Sequence, residues 1–138
     1  MELTVEEVPG ATPVTVLAIR GKLDASNYEQ VIARGHELVA AGTRHVLLDL
    51  EELTFMGSSG LVALHSLTLL LRGEPTPDPN AGWSALRAVE HALADEPQPY
   101  LKLLRPQPRI AQMLAVTGMD RYFQVFSDRE AALASFTR

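Results

Sequence analysis

The chain has 138 residues, of which 46% are hydrophobic and 21% charged, a composition typical of a single globular domain rather than a disordered segment. It contains no cysteine, which excludes disulfide bonds, thiolate metal sites and a cysteine nucleophile. Its 12 basic and 17 acidic residues give a net charge of −5, and the basic residues are scattered, so we expect no nucleic-acid interface, which would need a basic stripe.

Two features argue against a membrane protein. The longest apolar stretch, residues 61–71, is about half the length of a membrane-spanning helix, which needs about 20 residues. Residues 1–8 have neither the basic region nor the apolar region of a secretory signal. We therefore expect a cytoplasmic protein that does not contact a membrane.

The first quarter of the chain predicts two strands and a helix. Residues 2–8 alternate between apolar and polar side chains, and residues 14–20 are rich in β-branched residues, so a short turn between them predicts a β-hairpin. A helix follows, with Asp24 or Ser26 as its expected N-cap and Gly42 as its stop.

The next segment predicts a buried strand and a strongly apolar helix. Residues 45–50 form an almost continuously apolar run, which is typical of a strand buried on both faces in a parallel sheet. We interpret residues 51–56 as a connector, 57–60 as a tight turn and 61–72 as a helix. Because its apolar residues cover more than one stripe, something besides the sheet should bury part of this helix.

Residues 73–99 change in character, since they hold five of the nine prolines. Residues 83–93 have helical spacing, and we interpret 73–99 as an insertion carrying a short helix within a single domain of residues 1–138. A fourth strand (100–104), a helix that starts near Pro106 and Pro108, and a last strand (122–126) follow, and Ser127 is the expected cap of a closing helix. The order predicts an α/β sandwich with a mixed sheet of four to five strands and about four helices.

The turn Gly57-Ser58-Ser59-Gly60 places two hydroxyls where a helix begins. The first helical turn has unpaired N–H groups and a partial positive charge, so a phosphate attached there would find hydrogen-bond donors. The simpler interpretation is that Ser58 is an N-cap and Ser59 an ordinary helical residue.

The sequence does not favour an enzyme. A hydrolase nucleophile elbow needs the five-residue pattern Gly-x-Ser-x-Gly, whereas this turn has four residues. The four histidines have neither i, i+4 partners nor neighbouring cysteines, so we interpret them as ordinary surface or half-buried residues and expect neither a metal nor a cofactor: His36, His45, His65 and His91.

Three segments, 21–24, 46–50 and 55–61, resemble the STAS domain found in anti-sigma factor antagonists, and residues 106–119 are similar to the third helix of that family and its exit. The resemblance covers residues 2–72 and 100–136 and implies a STAS-like sandwich. It also implies a partner-switching regulator of transcription and signal transduction, which binds an anti-sigma factor that is also a serine kinase. Phosphorylation of the antagonist releases that partner.

Carried over by position, the resemblance implies that Ser59 is the phosphorylated residue, with Ser58 as the alternative. The implied partner-binding residues are Asp24, Met56, Gly57, Ser58, Ser59, Gly60 and Leu61. Gly57 departs from the family pattern, which has Asp before the serine pair. This departure leaves open an alternative function, a non-phosphorylated STAS scaffold or a ligand-sensing module in a larger assembly, with residues 73–99 as a docking arm or a dimer contact and a homo-oligomer as one outcome.

Overall fold

The computed structural model describes residues 1–73 and 99–136. In chain order the strands are β1 (Glu2–Val8), β2 (Val14–Leu23), β3 (Val46–Asp49), β4 (Leu53–Met56), β5 (Leu101–Leu104) and β6 (Val125–Phe126). The helices are α1 (Tyr28–Ala40), α2 (Ser58–Arg72), α3 (Pro108–Thr117), a 3-10 turn (Met119–Arg121) and α4 (Arg129–Ala134).

The six strands form one mixed sheet: five follow the order β1-β2-β3-β5-β6, and β4 lies off this path, paired with β2. β1 is antiparallel to β2, as predicted for the hairpin, and the other pairs are parallel. The parallel strands start at one edge of the sheet, where the loop 41–45 lies, and end at the opposite edge. We call these the amino edge and the carboxyl edge.

The central strands of the sheet, β2, β3 and β5, are buried on both faces because their side chains alternate between two apolar clusters, whereas β1 is mostly exposed. In β2, Leu17 and Ile19 belong to the larger cluster, with side chains from α1, α2 and α3. Val16 of the same strand belongs to the smaller cluster, which Ala132 of α4 and Phe136 just after it cover. In β3, Val46 and Leu48 belong to the larger cluster and Leu47 to the smaller one. The prediction of a strand buried on both faces at 45–50 is therefore confirmed, with the strand itself at Val46–Asp49.

Helix α2 is buried along its length, from Gly60 to Leu71. One covering element is α1, which approaches closely at Gly35, where an added Cβ would lie 2.4 Å from Leu67 Cδ2. This confirms that an element besides the sheet covers α2. His65 is 1% exposed, so its interpretation as a surface or half-buried residue was wrong, whereas His36 is exposed and His45 half-buried.

The main difference from the predicted elements is β4. Residues 53–56 are not a connector but a short strand that pairs with Gly21, Lys22 and Leu23, which extend β2 beyond its predicted end. The alternation expected of a strand is absent there, because the pairing contains a bulge. The predicted fold class is confirmed, and β4 brings the sheet to six strands.

Several predicted boundaries and caps were wrong. The N-cap of α1 is Asn27 rather than Asp24 or Ser26. Helix α2 begins at Ser58, three residues before its predicted start at residue 61. The last strand shrinks to two residues. The cap of α4 is Asp128 instead of Ser127, because its Oδ2 accepts the Ala131 N–H at 3.0 Å.

The helix predicted at 83–93 and His91 lie outside the described residues, and so does most of the insertion predicted at 73–99. Among residues 1–73 and 99–136, no helix has both the length and the apolar character needed to cross a membrane.

Candidate partner-binding site

Three chain segments meet at the carboxyl edge: the end of β2, the end of β4 and the N-terminus of α2. Leu23 and Met56 are register partners, and the Gly57 N–H donates to the Leu23 carbonyl at 2.9 Å. A Cβ on Gly57 would lie 3.9 Å from Asp24 Cα. The structure therefore brings Asp24 next to the serine turn, although 32 residues of sequence separate Asp24 from Met56.

The N-terminus of α2 is capped by backbone alone. Gly57 is the N-cap in an extended conformation (φ −81°, ψ 179°), and no side chain accepts a capping hydrogen bond. The Gly60 N–H donates a hydrogen bond to the Gly57 carbonyl at 2.9 Å. Within residues 1–73 and 99–136, the N–H groups of Ser58 and Ser59 have no acceptor, so they remain available to an anion.

The two serines differ in accessibility. Ser58 is exposed at the first helical position, whereas Ser59 is half-buried. Neither is the N-cap, so the simpler interpretation of Ser58 as a capping residue was wrong. Both side chains lie in the first turn, at the positive end of the helix dipole.

Three of the residues implied in partner binding lie inside the core rather than on the surface: Met56, Gly60 and Leu61. A Cβ at Gly60 would lie 2.3 Å from Met56 Cγ, so the glycine lets the first turn of α2 pack on β4. In this conformation the three residues support the site from below, and Asp24, Gly57, Ser58 and Ser59 form the accessible part.

Asp24 organises the loop after β2. Its Oδ1 accepts hydrogen bonds from the N–H and the Oγ–H of Ser26, the former at 2.9 Å. These two hydrogen bonds, the side-chain one first, hold the pKa of the Asp24 carboxyl below its usual value. The Asn27 side chain completes the loop by donating to the Lys22 carbonyl at 2.8 Å. The carboxylate is therefore anionic near neutral pH and engaged with its own loop.

Phe55 was not among the predicted site residues, although it lies in the segment that resembles the family motif. Its side chain is 41% exposed, and its Cε1 would lie 3.6 Å from a Cβ on Gly57. Sequence alone could not place it, because strand alternation would put Phe55 on the same face as the buried Leu53. The signal present in the sequence was the aromatic residue itself, three positions before Ser58.

Nothing in the described part of the chain groups three or more His, Asp or Glu side chains in a way that could hold a metal ion. The chemistry available around the serine turn is that of a helix N-terminus without a side-chain cap, two hydroxyls, the Asp24 carboxylate and the Phe55 ring.

Comparisons with known proteins identify the family of the chain. Residues 2–73 match the model of the STAS domain family. BtrV of Bordetella bronchiseptica, a candidate anti-sigma factor antagonist, is 27% identical over 136 residues, which cover 99% of this chain and 95% of BtrV.

Solved structures share the fold. A candidate anti-sigma factor antagonist from Thermotoga maritima superposes with a TM-score of 0.69 at 13% identity, covering 97% of this chain and 95% of the other. The anti-sigma factor antagonist SpoIIAA, in its unphosphorylated form, gives a TM-score of 0.56 at 20% identity, covering 94% and 93% of the two chains. With more than half of its residues matched to the family model and the same fold throughout, the chain belongs to the STAS domain family.

Proposed function

We propose that this protein is an anti-sigma factor antagonist. It binds an anti-sigma factor that is also a serine kinase through the accessible part of the carboxyl edge, and phosphorylation of a serine at the start of α2 releases it. The observation that carries the proposal is an exposed hydroxyl on a helix N-terminus that no side chain caps. The family match and the name of the BtrV relative support it.

The choice between the two serines follows from accessibility. Position in the family motif implies Ser59, with Ser58 as the alternative. A kinase must bring its phosphate donor to the hydroxyl oxygen, and the greater exposure of Ser58 favours that residue as the acceptor. Exposure thus favours Ser58, the family motif favours Ser59, and single alanine variants separate the two.

The physical consequence of phosphorylation differs between the free domain and the complex. A phosphate adds about −1.5 to −2 charges at pH 7. On the free domain, the helix N-terminus stabilises it by up to about 1–2 kcal/mol. In an interface the same group must be desolvated, which costs several kcal/mol and lowers affinity by about a thousandfold. Because the second effect is larger, the partner is released without refolding of the domain.

The proposal is tested by intact mass spectrometry after incubation with ATP and each kinase-type anti-sigma factor of the source genome, expressed one by one. We expect one added phosphate, lost in the Ser58→Ala or the Ser59→Ala variant and in the double variant. In calorimetric titrations, aspartate at the acceptor position should weaken binding while alanine does not. Equal affinity of both variants contradicts the switch.

A second function is favoured by one observation, the glycine at position 57 in place of the family's aspartate. If the kinase reads that carboxylate, the domain binds its partner without being modified and acts as a scaffold. Undiminished binding with no added phosphate supports this function over the switch.

A further inference from the structure

A β-bulge in β4 turns an aromatic ring towards solvent. Gly21 pairs with Leu53, but the next residue of β2, Lys22, pairs with Phe55, so Thr54 is the extra residue of β4. Thr54 is fixed by its Oγ1, which donates to the Gly21 carbonyl at 2.9 Å. The Gly21 φ of +90° also favours glycine at that position.

The bulge changes which side chains of β4 reach the core. In a regular strand Leu53 and Phe55 would share one face, and Met56 would lie on the other. Here Leu53 and Met56 are both buried, at 0% and 4% exposed, while Phe55 is 41% exposed. Burial of Met56 accounts for the bulge but not for an aromatic residue at position 55, where a polar side chain would fit the solvent.

The exposed ring borders the serine turn. Phe55 Cε1 would lie 3.6 Å from a Cβ on Gly57, and Gly57 directly precedes Ser58. Any surface that covers the ring therefore also covers the N-terminus of α2. A bulge that redirects a side chain beside a functional residue is a recurrent feature of binding sites.

We propose that Phe55 is the apolar anchor of the partner interface, inserting into a hydrophobic pocket of the anti-sigma factor. This inference rests on the proposed function and names the residue that supplies its affinity. It also explains why phosphorylation is effective: a dianion on the first turn of α2 lies at the border of the anchor, so the pocket cannot close over the ring without desolvating the phosphate.

The test compares two aromatic residues of similar exposure at opposite edges of the sheet. Phe55 is 41% exposed at the carboxyl edge, and Tyr100 is 39% exposed just before β5, at the amino edge. We expect Phe55→Ala to weaken binding to the immobilised anti-sigma factor at least ~30-fold, the effect of losing an interface hot spot, and Phe55→Leu to weaken it less. Tyr100→Ala should leave affinity within about threefold.

The outcomes separate the two proposals. If the unmodified protein binds and Phe55→Ala binds equally well, the anchor is overturned and the proposed function stands. If the unmodified protein binds none of the kinase-type anti-sigma factors, the proposed function fails and the anchor with it. Circular dichroism and thermal unfolding of Phe55→Ala should match the unmodified protein, because weak binding by an unfolded variant would overturn the interpretation of Phe55 as a surface anchor.

Discussion

Two glycines flank the serine pair, and their surroundings differ sharply. A Cβ at Gly60 would lie 2.3 Å from Met56 Cγ and 2.9 Å from its sulfur, inside the core. At Gly57 the nearest atom would be 3.6 Å away, and the backbone conformation there suits any residue. One glycine is needed for packing, and the other is not.

We predict that Gly60→Ala lowers the free energy of unfolding by about 1–3 kcal/mol, because Met56 must shift within a packed core. Gly57→Ala is the matched control and should cost no more than about 1 kcal/mol, since alanine is merely a poorer N-cap. Urea unfolding at pH 7.5 measures both. Similar losses in the two variants would contradict this assignment.

Restoring the family's aspartate is the complementary change. Gly57→Asp fits the available space and adds a side chain that can accept the N–H of the second or third helical residue. We expect an unchanged fold, a stability gain of a few tenths of a kcal/mol, and a higher initial rate of phosphate incorporation from ATP and the kinase. If Gly57→Asp is phosphorylated at the same rate as the unmodified protein, the kinase does not recognise this carboxylate.

His45 makes the stability of the protein depend on pH. Burial, and then the nearby Lys102 charge, hold the pKa of His45 below its usual value of 6.5. Because the folded protein binds a proton at His45 less tightly than the unfolded chain does, the protein keeps its full stability with respect to His45 above pH 6.5 and loses stability as the pH falls below it. Urea midpoints at pH 7.5 and 5.5 should therefore differ, and the difference should shrink in His45→Gln.

At the scale of elements, the buried Lys102 side chain joins β5 to the end of α4. Lys102 of β5 is 4% exposed, and its Nζ donates to the Ser135 carbonyl at 3.0 Å and to Ser135 Oγ at 2.9 Å. The ammonium also lies 4.5 Å from the centre of the Phe136 ring. Ser135 and Phe136, directly after α4, thus pack over a strand that is otherwise apolar.

We predict that Lys102→Ala costs about 2–4 kcal/mol of stability, because it removes both the hydrogen bonds and the packed aliphatic stem. Lys102→Met keeps the stem and removes the buried charge, and should cost about 1 kcal/mol or less. Hydrogen exchange of the α4 amides should accelerate in the alanine variant only. Equal acceleration in the two variants would mean that the charge and its hydrogen bonds, rather than the packed stem, hold α4.

Periodicity predicted the elements that follow a single rule over many residues. The hairpin, the doubly buried β3 and the helices α1, α2 and α3 all came from such patterns. It failed at β4, where one extra residue in four destroys the alternation, and at β6, where two residues are too few for a pattern. Helix caps were misplaced because neighbouring polar residues, such as Asp24, Ser26 and Asn27 or Ser127 and Asp128, can each cap a helix, and the pattern does not choose among them.

In the candidate site, too, local features could be predicted and features that depend on strand pairing could not. The serine turn and its place at a helix start could be predicted from sequence, since glycines and hydroxyls at a strand–helix junction carry local information. The burial of Met56, Gly60 and Leu61 and the exposure of Phe55 depend on pairing between β2 and β4. No local pattern reports a pairing that bridges about 30 residues of sequence.

At the scale of the whole molecule, the serine turn lies at the carboxyl edge of a sheet whose central strands are buried on both faces. A phosphate on Ser58 or Ser59 would therefore disturb no core contact of the free domain. We predict that the phosphorylated protein keeps its circular dichroism spectrum and melts at the same temperature or a few degrees higher, in line with a gain of up to about 1–2 kcal/mol. A melting temperature lowered by 10 °C would indicate release by unfolding instead.

The amino edge is a suitable position for a label, because it lies at the far end of the sheet from the serine turn. Ala41, at the exposed end of α1, could be replaced by cysteine, and the resulting thiol would be unique in a chain that has none of its own. A fluorophore attached there would report complex formation through its tumbling rate while leaving the docking face unobstructed. Association and phosphate-driven dissociation could then be followed in real time on a single labelled preparation.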